Sequence, residues 1–165
     1  MKSLVSILIY LLPALLLITP ETGVARAEDA KIPVLYCTDL FHPHDDPDDH
    51  FDLACLYALP EVDIKAVILD QGTKQQEKPG RIPIAQMNRL TGREVPAAIG
   101  LAEPLNSPED TGKQQPEPYQ EGVETILSVL RKSSRPVTVV AVGSLRDIAA
   151  AYNRKPKLCQ KKIAK

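Results

Sequence analysis

Four short runs rich in β-branched and other apolar residues, at 32–38, 64–69, 95–99 and 137–142, alternate with segments whose apolar residues recur at helical spacing. The helical segments are 51–59; 83–90, with Ile84, Met87 and Leu90 ahead of a glycine cap at Gly92; the stretch carrying Val123, Ile126, Leu127 and Leu130; and the one through Leu145, Ile148 and Ala149, which ends before Pro156. That order predicts a parallel α/β sheet with helices on both faces. Because parallel crossovers are right-handed, the loops following the strands share one sheet edge. Asp39, Asp70, Gly100 and Val142 all fall at that edge, where open α/β sheets bind their ligands.

The loop after the first run is densely charged. Asp39, His42, His44, Asp45, Asp46, Asp48, Asp49, His50 and Asp52 lie between two apolar runs. Carboxylates crowded beside a low-dielectric wall repel one another unless a cation sits among them, so the stretch reads as a metal or substrate site. Oxygen donors outnumber imidazoles, which favours a hard ion such as Ca2+ or Mg2+, while the three histidines keep Zn2+ open. A structural reading competes for some of these residues: Asp46 as N-cap, Pro47 at the first helical position, and Asp48 and Asp49 against the positive end of a helix dipole.

Residues 1–27 have the form of a signal peptide. Lys2 supplies the positive start, 4–18 an apolar run too short for a good membrane span, and Ala25-Arg26-Ala27 a small-x-small cleavage site. The mature chain, 28–165, then forms one α/β domain, secreted or periplasmic, with no stable membrane association after cleavage. A net charge of -1 and the lack of a basic stripe interleaved with aromatics give no case for nucleic acid. Cys37 and Cys55 fall in apolar runs and Cys159 in a lysine-rich tail that reads as a solvated helix face. Three cysteines without close pairing are no disulfide scaffold. The polar, proline-rich passage 103–118 reads as a long surface loop near the crevice, either a lid or a connector.

Val34-Leu35-Tyr36-Cys37-Thr38-Asp39, then Asp48-Asp49 opening a helix, then Pro60-Glu61 before Ile64, resembles the start of the inosine–uridine preferring nucleoside hydrolases, whose pattern is D-x-D-P-G-x-D-D, a helix and a P-E turn. The segment from Ala98 through Gly100 to Pro104-Leu105 is similar to that family's A-x-G-x-x-x-P-L, and Val142 to Ala149 to its G-P-L-T-N-x-A turn. The resemblance implies a nucleoside hydrolase-like fold and hydrolysis of the N-glycosidic bond of ribonucleosides by a Ca2+-activated water. By position it implies Asp49 as bidentate metal ligand, Asp48 as ribose-hydroxyl ligand, Asp39 as metal-bound general base, and Val142 as donor of a backbone carbonyl to the metal. Thr73 stands where the family carries a substrate-binding Asn, Cys37 replaces the first Asp, and the longer 40–46 segment leaves Asp39 and Asp46 both open as the base.

The same resemblance implies homo-oligomers, and a further metal-ligating Asp and a leaving-group His from a later half of the fold. Family members extend past the equivalent of Lys165, so the expectation is an N-terminal half of the fold, incomplete at its C-terminus and impaired in activity. Two other readings stand beside it. One is a non-catalytic metal- or ribosyl-binding remnant; the other is a transition-metal phosphoesterase using His42, His44 and His50.

Overall fold

In the computed structural model, residues 31–45 and 47–165 are described; the expected leader at 1–27, residues 28–30 and Asp46 lie outside them. The chain runs β1 (Ile32–Thr38), α1 (Asp48–Ala58), β2 (Val62–Leu69), α2 (Gly72–Glu77), α3 (Arg81–Thr91), β3 (Ala97–Ile99), a 3-10 turn (Glu117–Tyr119), α4 (Glu121–Lys132), β4 (Thr138–Ala141), α5 (Arg146–Arg154) and α6 (Pro156–Lys162). The expected α/β alternation is present, with the short α2 added. Among the described residues no helix is long and apolar enough to cross a membrane.

The sheet has the order β3-β2-β1-β4, and every neighbouring pair is parallel. From β1 the chain steps outward through β2 and β3, then returns to place β4 on the other flank of β1. The carboxyl ends of β1 and β4 therefore frame a topological switch point, where the loops diverge and leave a crevice.

Strand alternation sorts the core into two layers. Leu35 and Cys37 face one side with Ala66, Ile68 and Ala98, under Val123, Ile126, Leu127 and Leu130 of α4 and Ala150 and Ala151 of α5. Val34 and Tyr36 face the other, with Val67 and Leu69, under Leu53 and Tyr57 of α1 and Ile84 of α3. A bulge keeps β2 in step: Val34 pairs with Ile64 but Leu35 with Ala66, so Lys65 is the extra residue and the inward-facing parity switches there.

Local signals account for most helix limits. In α4 the buried residues Val123, Ile126, Leu127 and Leu130 repeat at i, i+3, i+4 and i+7, and Arg131 and Lys132 oppose the C-terminal dipole. Gly92 ends α3 at φ +68, a left-handed value glycine takes without strain. The helix α1 opens at Asp48 with Pro47 as its N-cap residue, one position later than a reading with Pro47 inside the first turn. The lysine-rich tail is helical in α6, but it also buries Cys159 and carries Ile163 into a parallel bridge with Val137.

Asn88 joins α3 to the approach of β3. Its Oδ1 accepts from Tyr57 Oη at 2.8 Å and from Val95 N at 3.1 Å, and its Nδ2 donates to Val95 O at 2.9 Å. Asn88→Ala leaves these groups without partners and is expected to cost about 2 kcal/mol in chemical denaturation. A loss below a few tenths would show that water replaces all three bonds.

Candidate functional site

The crevice at the switch point holds a pocket of about 340 Å³ lined by Asp39, Phe41, Asp45, Asp48, Asp49, Lys74 and Val142. Its size falls in the range of roughly 300–1,000 Å³ typical of small-molecule sites. Four of the site residues read from the sequence, Asp39, Asp48, Asp49 and Val142, meet here. The fifth, Thr73, sits on the exposed side of α2 and is not part of the lining. Asp46, the other candidate base, lies outside the described residues.

Two elements deliver these carboxylates and a third brings Val142. Asp39 follows β1 and is half-buried; Gln71 Nε2 donates to its Oδ2 at 2.9 Å. Gln71 adopts φ 56, a left-handed conformation that costs a non-glycine residue of order 1 kcal/mol, and it does so at the turn that aims its amide at Asp39. Asp48 and Asp49 come from the first turn of α1, where Asp49 N donates to Asp48 Oδ1 at 2.8 Å. Val142 follows β4, and its N–H donates to Cys37 O at 3.0 Å. Gly143 beside it is required by close approach, since a Cβ there would stand 2.7 Å from Asp70 Oδ2 and 2.8 Å from Asp39 N.

Asp49 is 8% exposed. Burial pushes its carboxyl up to about 6; a Thr38 hydrogen bond pulls it back, and the Asp39 and Asp48 charges push it further up. Such a carboxylate gains from any cation brought beside it. The cation found nearby is Lys74, which with Lys78 pairs with Asp45, while Lys74 Nζ lies 4.1 Å from the Phe41 ring centre. These hydrogen-bonded lysines hold Asp45 down at about 2. Asp45 is thereby turned toward α2, and Lys74 becomes part of the wall.

Sequence reading missed Lys74 and Phe41. Six residues of helix carry too little periodicity to reveal α2, and a lone aromatic in a charged loop has no local signature. The histidines stay apart from the carboxylates: none lines the pocket, and the rings of His44 and His50 meet edge to face at 5.6 Å. Burial, with the neighbouring His44 and His50 pairing and His42, favours the neutral form of His50.

Behind the pocket lie two further acids. Asp70 and Asp147 are each 1% exposed. Asp70 Oδ2 accepts the Ser144 N–H and Asp147 Oδ1 the Leu101 N–H at 2.9 Å, while among the described residues Asp70 Oδ1 and Asp147 Oδ2 have no hydrogen-bond partner. Burial raises both, Asp147 to about 7, with the Asp70 charge adding to the rise. The loop 103–118 takes no part in the lining. Asn153 donates to Pro108 O and Asp110 O, each at 2.8 Å, and Arg154 Nε to Thr111 O at 2.7 Å, so the loop is fastened to α5.

As donors for a hard cation, Asp39, Asp48 and Asp49 are of the right kind and line one pocket. Yet among the described residues no group of three His, Cys, Asp or Glu side chains is close enough to enclose a metal ion. The fit is that of a partial ligand set, with Asp49 and the neighbouring Asp39, whose charge acts on it, at its centre.

A parallel sheet with a carboxylate-lined pocket at its switch point defines an α/β protein whose candidate site lies at the carboxyl edge of the sheet. No protein-family model matches the sequence. The pyrimidine-specific ribonucleoside hydrolase RihA of Citrobacter koseri is 30% identical over 150 residues, covering 81% of this chain and 46% of that protein. The protein of the same name from Enterobacter sp. is 32% identical over 134 residues, covering 72% and 42%. Among solved structures, the plant nucleoside hydrolase PpNRh1 superposes with a TM-score of 0.58 at 21% identity, over 80% of this chain and 45% of that one, a likeness of fold. The chain belongs to the nucleoside hydrolase family. It spans less than half the length of the curated relatives it matches.

Proposed function

We propose that this chain carries the carboxylate half of a ribonucleoside hydrolase site and serves the cleavage of N-glycosidic bonds, giving free base and ribose. The observation that carries this reading is the meeting of Asp39 and Asp49, from separate elements, in one switch-point pocket, with Asp49 raised to about 6 by burial and by its neighbours' charge. The curated relatives named as pyrimidine-specific ribonucleoside hydrolases support the reaction class.

In this proposal Asp39 is the general base. Gln71 occupies its Oδ2 and fixes the carboxylate plane, leaving Oδ1 to take a proton. Asp49 and Asp39 are the residues that would hold Ca2+, with Val142 beside them and Asp48 placed for a ribose hydroxyl. Bound there, the ion would supply a lowered pKa for a water and two positions for a sugar diol. The anionic wall favours the positive charge that develops on the sugar as its bond to the base breaks. We place the mature protein outside the cytoplasm on the strength of the leader at 1–27, and read it as an oligomer-former by family resemblance.

The test couples ligand-dependent stability to chemistry. Ca2+ at about a hundred times its Kd is expected to stabilise the chain by about 2.7 kcal/mol at pH 7.5. The gain should fade toward pH 5, because Asp49 takes up a proton as pH falls through about 6 and then no longer attracts the ion. Uridine, cytidine and inosine are then assayed for free base in the presence of Ca2+. Neither stabilisation nor base release would remove the proposal. Stabilisation without release would favour a non-catalytic ribosyl-binding protein, a reading supported by the partial ligand set among the described residues.

A further inference from the structure

Strand β1 carries a buried polar group that the proposed reaction does not use. Tyr36 is fully buried, in the layer where β1 packs under Leu53 and Tyr57 of α1. Asp49, Leu53 and Tyr57 recur every four residues and are the buried residues of that helix. The helix face lying over Tyr36 therefore also carries Asp49, one turn before Leu53. Thr38, two residues on, projects to the same side of the strand as Tyr36.

The hydroxyl of Tyr36 has no hydrogen-bond partner among the described residues. Burying such a group without a partner is costly, and a leucine or phenylalanine would fill the layer without that cost. Thr38 lies beside it but is committed elsewhere: its Oγ1 accepts from Leu40 N at 3.1 Å, and its proton serves the Asp49 carboxyl. Burial pushes the Tyr36 phenol up, Thr38 pulls it back, and the charges of Asp49, Asp52 and Asp48 push it further up, so it stays a neutral donor. Of those three charges Asp49, which lines the crevice, acts most strongly.

We propose that Tyr36 is a positioning residue for the cation site, a role that rests on the reading of Asp49 as a Ca2+ ligand: its hydroxyl donates to the ionised Asp49 carboxylate when Ca2+ is bound. A carboxylate has lone pairs enough for Thr38, Tyr36 and a cation together. A phenol suits the task because it is uncharged, and it steadies the oxygen without the repulsion that a lysine would exert on the ion. Partners of this kind, one bond removed from the metal, set affinity by about 10- to 100-fold.

The experiment is calorimetric titration with Ca2+ of the wild type, Tyr36→Phe and Tyr57→Phe, with the near-ultraviolet spectrum of each recorded before and after. The chain has five tyrosines and no tryptophan, so that spectrum reports tyrosine. Tyr36→Phe keeps the ring and loses an unpartnered hydroxyl, so the metal-free variant is expected to melt no lower than the wild type. Tyr57→Phe is the control, since its hydroxyl belongs to the same layer but donates to Asn88 and does not line the crevice. The expected result is Ca2+ affinity weakened about 10- to 100-fold in Tyr36→Phe and unchanged in Tyr57→Phe, with a Ca2+-induced shift of tyrosine absorption to longer wavelength that Tyr36→Phe abolishes. Equal affinity in the wild type and Tyr36→Phe, equal losses in both variants, or a spectral shift that survives in Tyr36→Phe overturns the role of Tyr36 while the Ca2+ reading stands. Absence of Ca2+ binding by the wild type removes that reading and the role of Tyr36 with it.

Discussion

Asp39→Asn is expected to lower base release by about 100- to 10,000-fold, the range for loss of a positioned general base, while the fold stays intact. The amide has the shape of the carboxylate and can still accept from Gln71 Nε2, which now bonds Asp39 Oδ2 at 2.9 Å. What disappears is the ability to take a proton and one negative charge. The charge change gives a second readout, because Asp39 is among the groups that push Asp49 up to about 6. With it gone, Asp49 ionises at lower pH, and Ca2+-dependent stabilisation should persist further into acid even as affinity falls. Base release within about tenfold of wild type would remove Asp39 from the base role, and an unmoved pH profile would show that the two carboxylates do not interact.

Asp147→Asn should stabilise the chain by about 1–3 kcal/mol at pH 8 and destabilise it by about 1–3 kcal/mol at pH 4. Burial holds the Asp147 carboxyl at about 7, far above an ordinary carboxylate. Folding therefore binds a proton between about pH 4 and 7, and stability falls as pH rises through that window and levels off above it. The full penalty of ionising the native state is about 4 kcal/mol. The amide removes that penalty and keeps an oxygen for the Leu101 N–H, but it buries an NH2 group where Asp147 Oδ2 now has no partner, which returns about 1–3 kcal/mol. Equal effects at pH 4 and 8 in urea denaturation would show that the charge is not the source of the cost. Gly100 packs so closely on this carboxylate that a side chain there would overlap it.

Nothing in the sequence marks Asp147 as buried, because an acid beside Arg146 on a short helix carries no local sign of what packs over it. Only packing of Leu101, Gly100 and Asp70 around it reveals a buried group.

Much of the fold was legible for the opposite reason. β1 spans Ile32–Thr38, as the apolar run and the Asp that follows it indicate, and α3 and α4 contain the periodic residues that announce them. Apart from Leu90, which is exposed, these features report burial, which a strand or helix imposes on its own neighbours two, three or four positions away. The acidic stretch was legible too, as was its position at the carboxyl edge of the sheet.

Periodicity along the chain determined the alternation of strands and helices, the parallel sheet and the list of acids at its ligand-binding edge. Tertiary structure alone decided that β4 lies beside β1, which brings Val142 to Asp39; that Asp45 turns to Lys74 and Lys78; and that Thr73 faces outward while Lys74 lines the pocket. The reason is range. Local burial is written into spacing of a few residues, whereas strand order and ion-pair partners are settled by contacts between segments dozens of residues apart, whose competition no local pattern records.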